Sequence, residues 1–157
     1  MIGVLSTASC GGGSSARAPS SFASLARGSD RGLARMSQDL EAVSRLTAVD
    51  ATSLALAARD AAALRDSLAY LYSDLQKSSF PAAAQPVVYS LTNNSLLDLW
   101  IVVRAIAFQA DQDTQSAQSP PYAPGKWLQM LSVTLPPAHA DAARLRRILG
   151  QGSAPLL

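Results

Sequence analysis

The stretch from Leu33 to Leu75, LARMSQDLEAVSRLTAVDATSLALAARDAAALRDSLAYLYSDL, decides the fold of this 157-residue chain. Steps of three and four residues through it meet apolar side chains at Leu33, Met36, Leu40, Val43, Leu54, Ala57, Ala61, Leu64, Leu68, Leu71 and Leu75. This spacing places the apolar residues on one face of an α-helix. It predicts amphipathic helices that bury this face in a bundle, with a coiled coil as the alternative.

Two polar residues, Thr47 and Asp50, interrupt the apolar series in a segment of weak helix formers. Asp50, Thr52 or Ser53 could each begin a second helix by capping its first turn. We therefore predict two helices here. A single helix of roughly 46 residues, about 70 Å long, remains the alternative.

Further helices follow on the C-terminal side. The apolar run Leu96–Ala110 predicts a buried central helix, because it is shorter than the roughly 18 residues that a membrane span requires. Pro136 and Pro137 predict a break, and Gly150 predicts the end of the last helix. The predicted helices cover residues 32–47, 52–77, 88–111, 126–135 and 138–149.

The composition predicts an all-α fold, a four- to five-helix bundle preceded by a flexible Gly/Ser-rich tether. Residues 1–29 form a truncated signal and tether, residues 30–150 the bundle domain, and residues 151–157 a disordered tail. The apolar fraction is 48% and the charged fraction only 15%, with many alanines and leucines that favour helix. A net charge of +2 gives no reason to expect a nucleic-acid partner.

The only cysteine, Cys10, follows Ala8 and Ser9 and precedes a Gly/Ser segment that begins at Gly11. Small residues before a single cysteine resemble the end of a bacterial lipoprotein signal. The resemblance covers residues 1 to about 15 and is incomplete, since Thr7 replaces the usual leucine and the basic start and long apolar run of a signal are missing. It implies lipidation of Cys10. Gly11, and not an aspartate, follows the cysteine. The resemblance therefore also implies that the protein is located at the periplasmic face of the outer membrane.

Two other interpretations of the N-terminal segment stay open. Arg17, Arg27, many serines and the absence of acids over residues 1–29 also fit an organellar transit peptide. The segment could equally be a disordered cytosolic tail in which Cys10 is a free thiol. One cysteine cannot form an intramolecular disulfide, so cysteine usage does not identify the compartment.

The apolar run Leu96–Ala110 contains two charged residues, Asp98 and Arg104. We expect each to meet a partner from another helix or the surface, because an unpaired buried charge is costly. Trp100 lies one turn before Arg104, so a cation–π contact is available. A cavity beside Trp100, Arg104 and Phe108 would bind a small apolar ligand, which is the second functional hypothesis.

The densest basic patch lies in the last helix and includes Arg144 and Arg147. These residues could contact an acidic partner or anionic lipid, but cations at a helix C-terminus also stabilise the helix dipole. The single histidine, His139, has no catalytic partner on its own helix face, and no Cys/His cluster fits a metal. The sequence therefore predicts no cofactor and no enzymatic site.

Taken together, these features predict a non-enzymatic, lipid-anchored protein of the bacterial cell envelope. It would act as a scaffold or adaptor through contacts with another envelope protein, with Asp98, Trp100, Arg104, Arg144 and Arg147 as candidate contact residues.

Overall fold

The computed structural model describes residues 20–45, 50–115 and 124–150, and these residues form helices and turns without a strand. The helices are α1 (Ser20–Ser44), α2 (Ala51–Lys77), α3 (Gln85–Ser90), α4 (Leu96–Gln115) and α5 (Pro124–Ile148). A short 3-10 turn at Ala82–Ala84 precedes α3, and a π-helical turn at Leu91–Ser95 joins α3 to α4. The all-α prediction is confirmed.

The helices form a closed bundle of four rods in the described part of the chain. Helix α3, the π-helical turn and α4 follow one another without a break and act as one rod. Helix α2 packs between α1 and α4, while α5 packs against both α1 and α4 and closes the bundle.

The predicted apolar series forms the heart of the core. Each of its eleven apolar residues between Leu33 and Leu75 is buried, and α4 adds residues such as Leu99, Val103 and Ile106 that have no exposed surface. Asp50 interrupts the series because it caps α2, accepting a hydrogen bond of 3.2 Å from the backbone N–H of Thr52. The two-helix prediction is therefore confirmed, and the single long helix is excluded.

Helix α1 begins at Ser20, about 12 residues before the predicted start, so residues 20–29 belong to a helix and not to the tether. Ala26 and Ser29 are almost completely buried, and this packing stabilises a segment whose own composition favours flexibility. The rest of the predicted tether, residues 1–19, and the tail 151–157 lie outside the described residues.

Helix α5 runs through Pro136 and Pro137, where the sequence predicts a break. The prediction is wrong because both prolines lie on the exposed side of α5, where water can hydrate the carbonyl groups that lose their helical hydrogen bonds. The buried face continues across them from Leu131 to Ala138. The predicted end is confirmed, since Gly150 follows α5 with a φ of 65°.

Among the described residues, one helical segment, Ala82–Gln112, is long and apolar enough to span a membrane by length and composition. Half of its most apolar window is buried inside the protein. The central helix of a bundle meets the same criteria, and this segment occupies that position between α2 and α5.

Candidate functional site

The most unusual surface is the outer face of α4, opposite its core-facing side. Leu97, Ile101 and Phe108 are 42%, 51% and 66% exposed, and they follow one another at spacings of four and seven residues. Neither Leu97 nor Ile101 is singled out by the sequence, because nearly every residue around them is apolar. The available signal is their helical spacing opposite the buried Leu99 and Val103.

Arg104 and Asp98 also lie on the exposed surface of α4, so of the two environments expected for them, a partner helix or the surface, they have the second. Trp100 is partly buried and packs against the core. The Cζ atom of Arg104 lies 5.3 Å from the centre of the Trp100 ring, which confirms the predicted cation–π contact. Arg104 therefore places an exposed positive charge within the apolar face.

Two open grooves follow the seam between α2 and α4, next to this face. The first, of about 270 Å³, is lined by Leu68, Ala69, Tyr72, Leu96, Leu97 and Trp100. The second, of about 550 Å³, is lined by Ala55, Ala58, Arg59, Ala62, Arg65, Arg104, Ala107, Phe108 and Asp111. Both grooves are open to solvent, and the small alanine side chains of α2 leave space for the second groove.

The second groove is rich in arginine. Arg59 and Arg65 each form a 2.8 Å ion pair with the aspartate that follows them in sequence, Asp60 and Asp66. Asp60 and Asp66 do not line the groove. The charged residues of its lining are Arg59, Arg65, Arg104 and Asp111. The groove thus combines an apolar floor with a basic rim, in which Asp60 and Asp66 partly neutralise the charges of Arg59 and Arg65.

The other predicted contact residues lie elsewhere. Arg144 and Arg147 are exposed on α5, whereas Arg146 between them is only 8% exposed. Cys10, the predicted lipidation site, lies outside the described part of the chain. The candidate residues therefore form two surfaces, one on α4 and one on α5, and not a single site.

A buried polar cluster separates α1 from α5. Within the described residues, Ser29 Oγ, Asp30 Oδ1, and Nε and Nη1 of Arg146 have no hydrogen-bond partner although they are shielded from solvent. Burial raises the pKa of Asp30 above its usual 3.8, and the nearby charges of His139 and Arg146 offset this only in part. The contact between α1 and α5 therefore contains buried polar atoms without hydrogen-bond partners.

We expect Arg146→Met to raise the free energy of unfolding by about 1–2 kcal/mol. The methionine fills similar space and removes the buried donors Nε and Nη1, which have no hydrogen-bond acceptor, and we expect this gain to exceed the lost attraction to Asp30. Urea unfolding of both proteins measures the change. Arg147→Met is the control, since Arg147 is exposed and its loss should change stability by less than about 0.5 kcal/mol. A destabilised Arg146→Met would contradict the account.

A second buried acid lies between α1 and α2. Asp60 is 6% exposed and forms ion pairs with Arg59 and, at 3.7 Å, with Arg35. Burial raises the pKa of the neighbouring Asp39. A hydrogen bond to Asp60 and the negative charge of Asp60 raise this pKa further, whereas the charges of Arg35 and Arg59 lower it. Since the folded pKa exceeds the usual 3.8, Asp39 favours folding most below that pH, and this contribution is lost as the pH rises through the folded pKa.

The π-helical turn is tied to α5 through Asp141. The hydroxyls of Ser90 and Ser95 donate hydrogen bonds of 2.7 Å and 2.8 Å to the same oxygen, Oδ2 of Asp141. In a regular α-helix, residues five apart point about 140° away from each other. The wider π-helical turn brings both serines to one side, so that one carboxylate accepts from both.

In the part of the chain that the structure describes, no group of three or more His, Cys, Asp or Glu side chains could hold a metal ion. No protein-family model, curated protein or solved structure matches this chain.

Proposed function

We propose that this protein is a non-enzymatic helical adaptor that binds a partner protein through the α4 outer face and the adjoining α2–α4 grooves. A lipid on Cys10 would hold it at the periplasmic face of the bacterial outer membrane. The observation that carries the proposal is the exposed apolar row of Leu97, Ile101 and Phe108. Large exposed apolar patches on a folded domain typically mark interaction sites.

The shape of the surface favours a helical segment of the partner. Apolar anchors at helical spacing beside a shallow groove are the arrangement in which one helix packs against another. The alanines of α2 allow close approach, and aromatic and arginine residues such as Trp100, Phe108 and Arg104 are the types that contribute most to protein interfaces. The basic rim selects a partner helix with acidic residues beside its apolar face.

We expect Phe108→Asp to weaken partner binding by about 30-fold or more, equivalent to about 2 kcal/mol at an interface hot spot. Tyr70→Asp is a matched control, because Tyr70 is also aromatic and is 68% exposed, against 66% for Phe108, but lies away from the grooves. The partner is recovered from envelope membranes with the wild-type protein, and its affinity for each variant is measured by titration. Equal losses of affinity in both variants would contradict the proposal that the partner binds the α4 outer face.

Binding of a small apolar ligand is the second candidate function. Trp100 Nε1 is buried without an acceptor among the described residues, so a ligand in the first groove could accept its hydrogen bond. The groove volume of about 270 Å³ is slightly below the roughly 300–1,000 Å³ of most small-molecule sites, and the groove is open. The adaptor is therefore the better supported proposal.

The lipid anchor has its own test. We expect Cys10→Ser to abolish incorporation of labelled palmitate and to shift the protein from the membrane fraction to the soluble fraction. Mass spectrometry of the wild-type N-terminus should give an acylated Cys10 as its first residue. A mature N-terminus on the C-terminal side of Cys10 would instead support the transit-peptide interpretation and an organellar location.

A further inference from the structure

The outer face of α5 is a second exposed surface that the proposed partner site does not use. A row of exposed residues along α5 falls within a sector of about 100° around the helix, given 3.6 residues per turn. It includes Lys126, Gln129, Met130, Val133, Pro137, Ala140, Arg144, Arg147 and Ile148. The row places a cation near each end and apolar side chains between, of which Val133 is 69% exposed.

The charge of this face has one sign. Helix α5 contains a single acid, Asp141, and its Oδ2 is engaged by Ser90 and Ser95 of the neighbouring rod. Lys126, Arg144 and Arg147 are thus the charged residues of the row. The row is complementary to a surface that carries negative charge.

The stability of α5 does not explain this arrangement of charged and apolar residues. Arg147 lies in the last turn of α5, where a cation stabilises the helix dipole, but Lys126 lies in the first turn, where a cation is unfavourable. Val133 exposes apolar area to water, which costs free energy unless another surface covers it. Both residues therefore point to a function outside the bundle.

We propose that the outer face of α5 binds the surface of an anionic phospholipid membrane. Lys126 and Arg144 are about 27 Å apart along the helix, so α5 would lie flat on the membrane. The cations would contact headgroups, and Met130 and Val133 would enter the interfacial region. A convex ridge on one helix suits a broad planar surface better than a partner helix, which the α2–α4 grooves would receive. A basic surface also strengthens a covalent lipid anchor.

The full chain carrying Cys10→Ser, and hence without any acyl group, tests this binding independently of the proposed partner. Vesicle sedimentation compares phosphatidylglycerol–phosphatidylcholine vesicles with phosphatidylcholine alone, at low and at high salt. We expect binding to the anionic vesicles only, weakened by salt. Removing one cation should lower the partition coefficient about fivefold, so Lys126→Ala/Arg144→Ala/Arg147→Ala should lower it on the order of 100-fold.

The matched control is Arg27→Ala/Arg31→Ala/Lys77→Ala, which removes three exposed cations elsewhere and gives the same net charge. We expect this control to keep most of the binding. Equal losses in both triple variants would show an effect of net charge alone and overturn the proposal. Failure of the parent protein to bind anionic vesicles, together with salt-sensitive binding to polyglutamate, would assign the face to an acidic protein and also overturn it.

Discussion

Leu99→Ala should lower the free energy of unfolding by about 2–5 kcal/mol. Leu99 has no exposed surface and lies on the core-facing side of α4, so its truncation loses apolar burial and leaves a cavity. A domain of this size is held together by roughly 5–15 kcal/mol, so the variant should unfold at a much lower urea concentration. Urea titration followed by circular dichroism measures both the midpoint and the slope.

The control for Leu99 is its neighbour Leu97, which is 42% exposed on the outer face. Leu97→Ala should cost less than about 1 kcal/mol, because Leu97 is partly exposed beside an open groove and its truncation leaves no enclosed cavity. The two variants remove the same atoms from residues two positions apart. Similar losses of unfolding free energy would mean that the inner and outer faces of α4 are assigned wrongly. They would also contradict the proposed interaction surface.

Asp141→Ala should cost about 2–4 kcal/mol. Two hydroxyl groups donate to Oδ2 of Asp141, and hydrogen bonds to a charged acceptor contribute more than neutral ones. Ser95 is 5% exposed, so its hydroxyl would lose its acceptor where water has little access. Asp98→Ala is the control, since Asp98 is an exposed acid of α4 and its removal should be nearly neutral.

A combined variant separates the hydrogen bonds from the general effect of mutation at Asp141. Ser90→Ala/Ser95→Ala/Asp141→Leu removes donors and acceptor together, and it should be more stable than Asp141→Ala because no buried hydroxyl is left unpaired. The free energies of unfolding of both variants give the comparison. A cost for Asp141→Ala no larger than that for Asp98→Ala would show that the carboxylate does not fasten α5 to the π-helical turn.

The parts of the fold that depend on local patterns could be predicted from the sequence. The three–four spacing identified the buried face of α1 and α2, and Asp50 identified the start of α2, since a cap acts within its own turn. The end of α2 at Lys77 and the glycine after α5 were also predicted correctly. These signals need no knowledge of distant residues.

The differences arise where tertiary packing outweighs local preference. Residues 20–29 are helical because Ala26 and Ser29 pack into the core, which composition does not reveal. Pro136 and Pro137 are accommodated because they face solvent, and facing directions depend on how α5 docks. Neither effect can be read from the segments themselves.

The proposed interaction surface follows only in part from the sequence. The sequence predicts a cavity beside Trp100, Arg104 and Phe108, whereas Trp100 lines one groove and Arg104 and Phe108 line the other. In a helix that is apolar on most sides, the sequence does not say which side faces the core. The π-helical turn at Leu91–Ser95 adds to the difficulty, because it rotates everything after it relative to α3.

The central claim is that a partner protein contacts the outer face of α4. Site-specific photocrosslinking in intact cells tests it most directly, with a photoreactive phenylalanine analogue placed at Phe108 or, as the control, at the equally exposed Tyr70. The account predicts one discrete crosslinked species from position 108 that is absent from position 70. The same species from both positions, or a crosslink from position 70 alone, would contradict it.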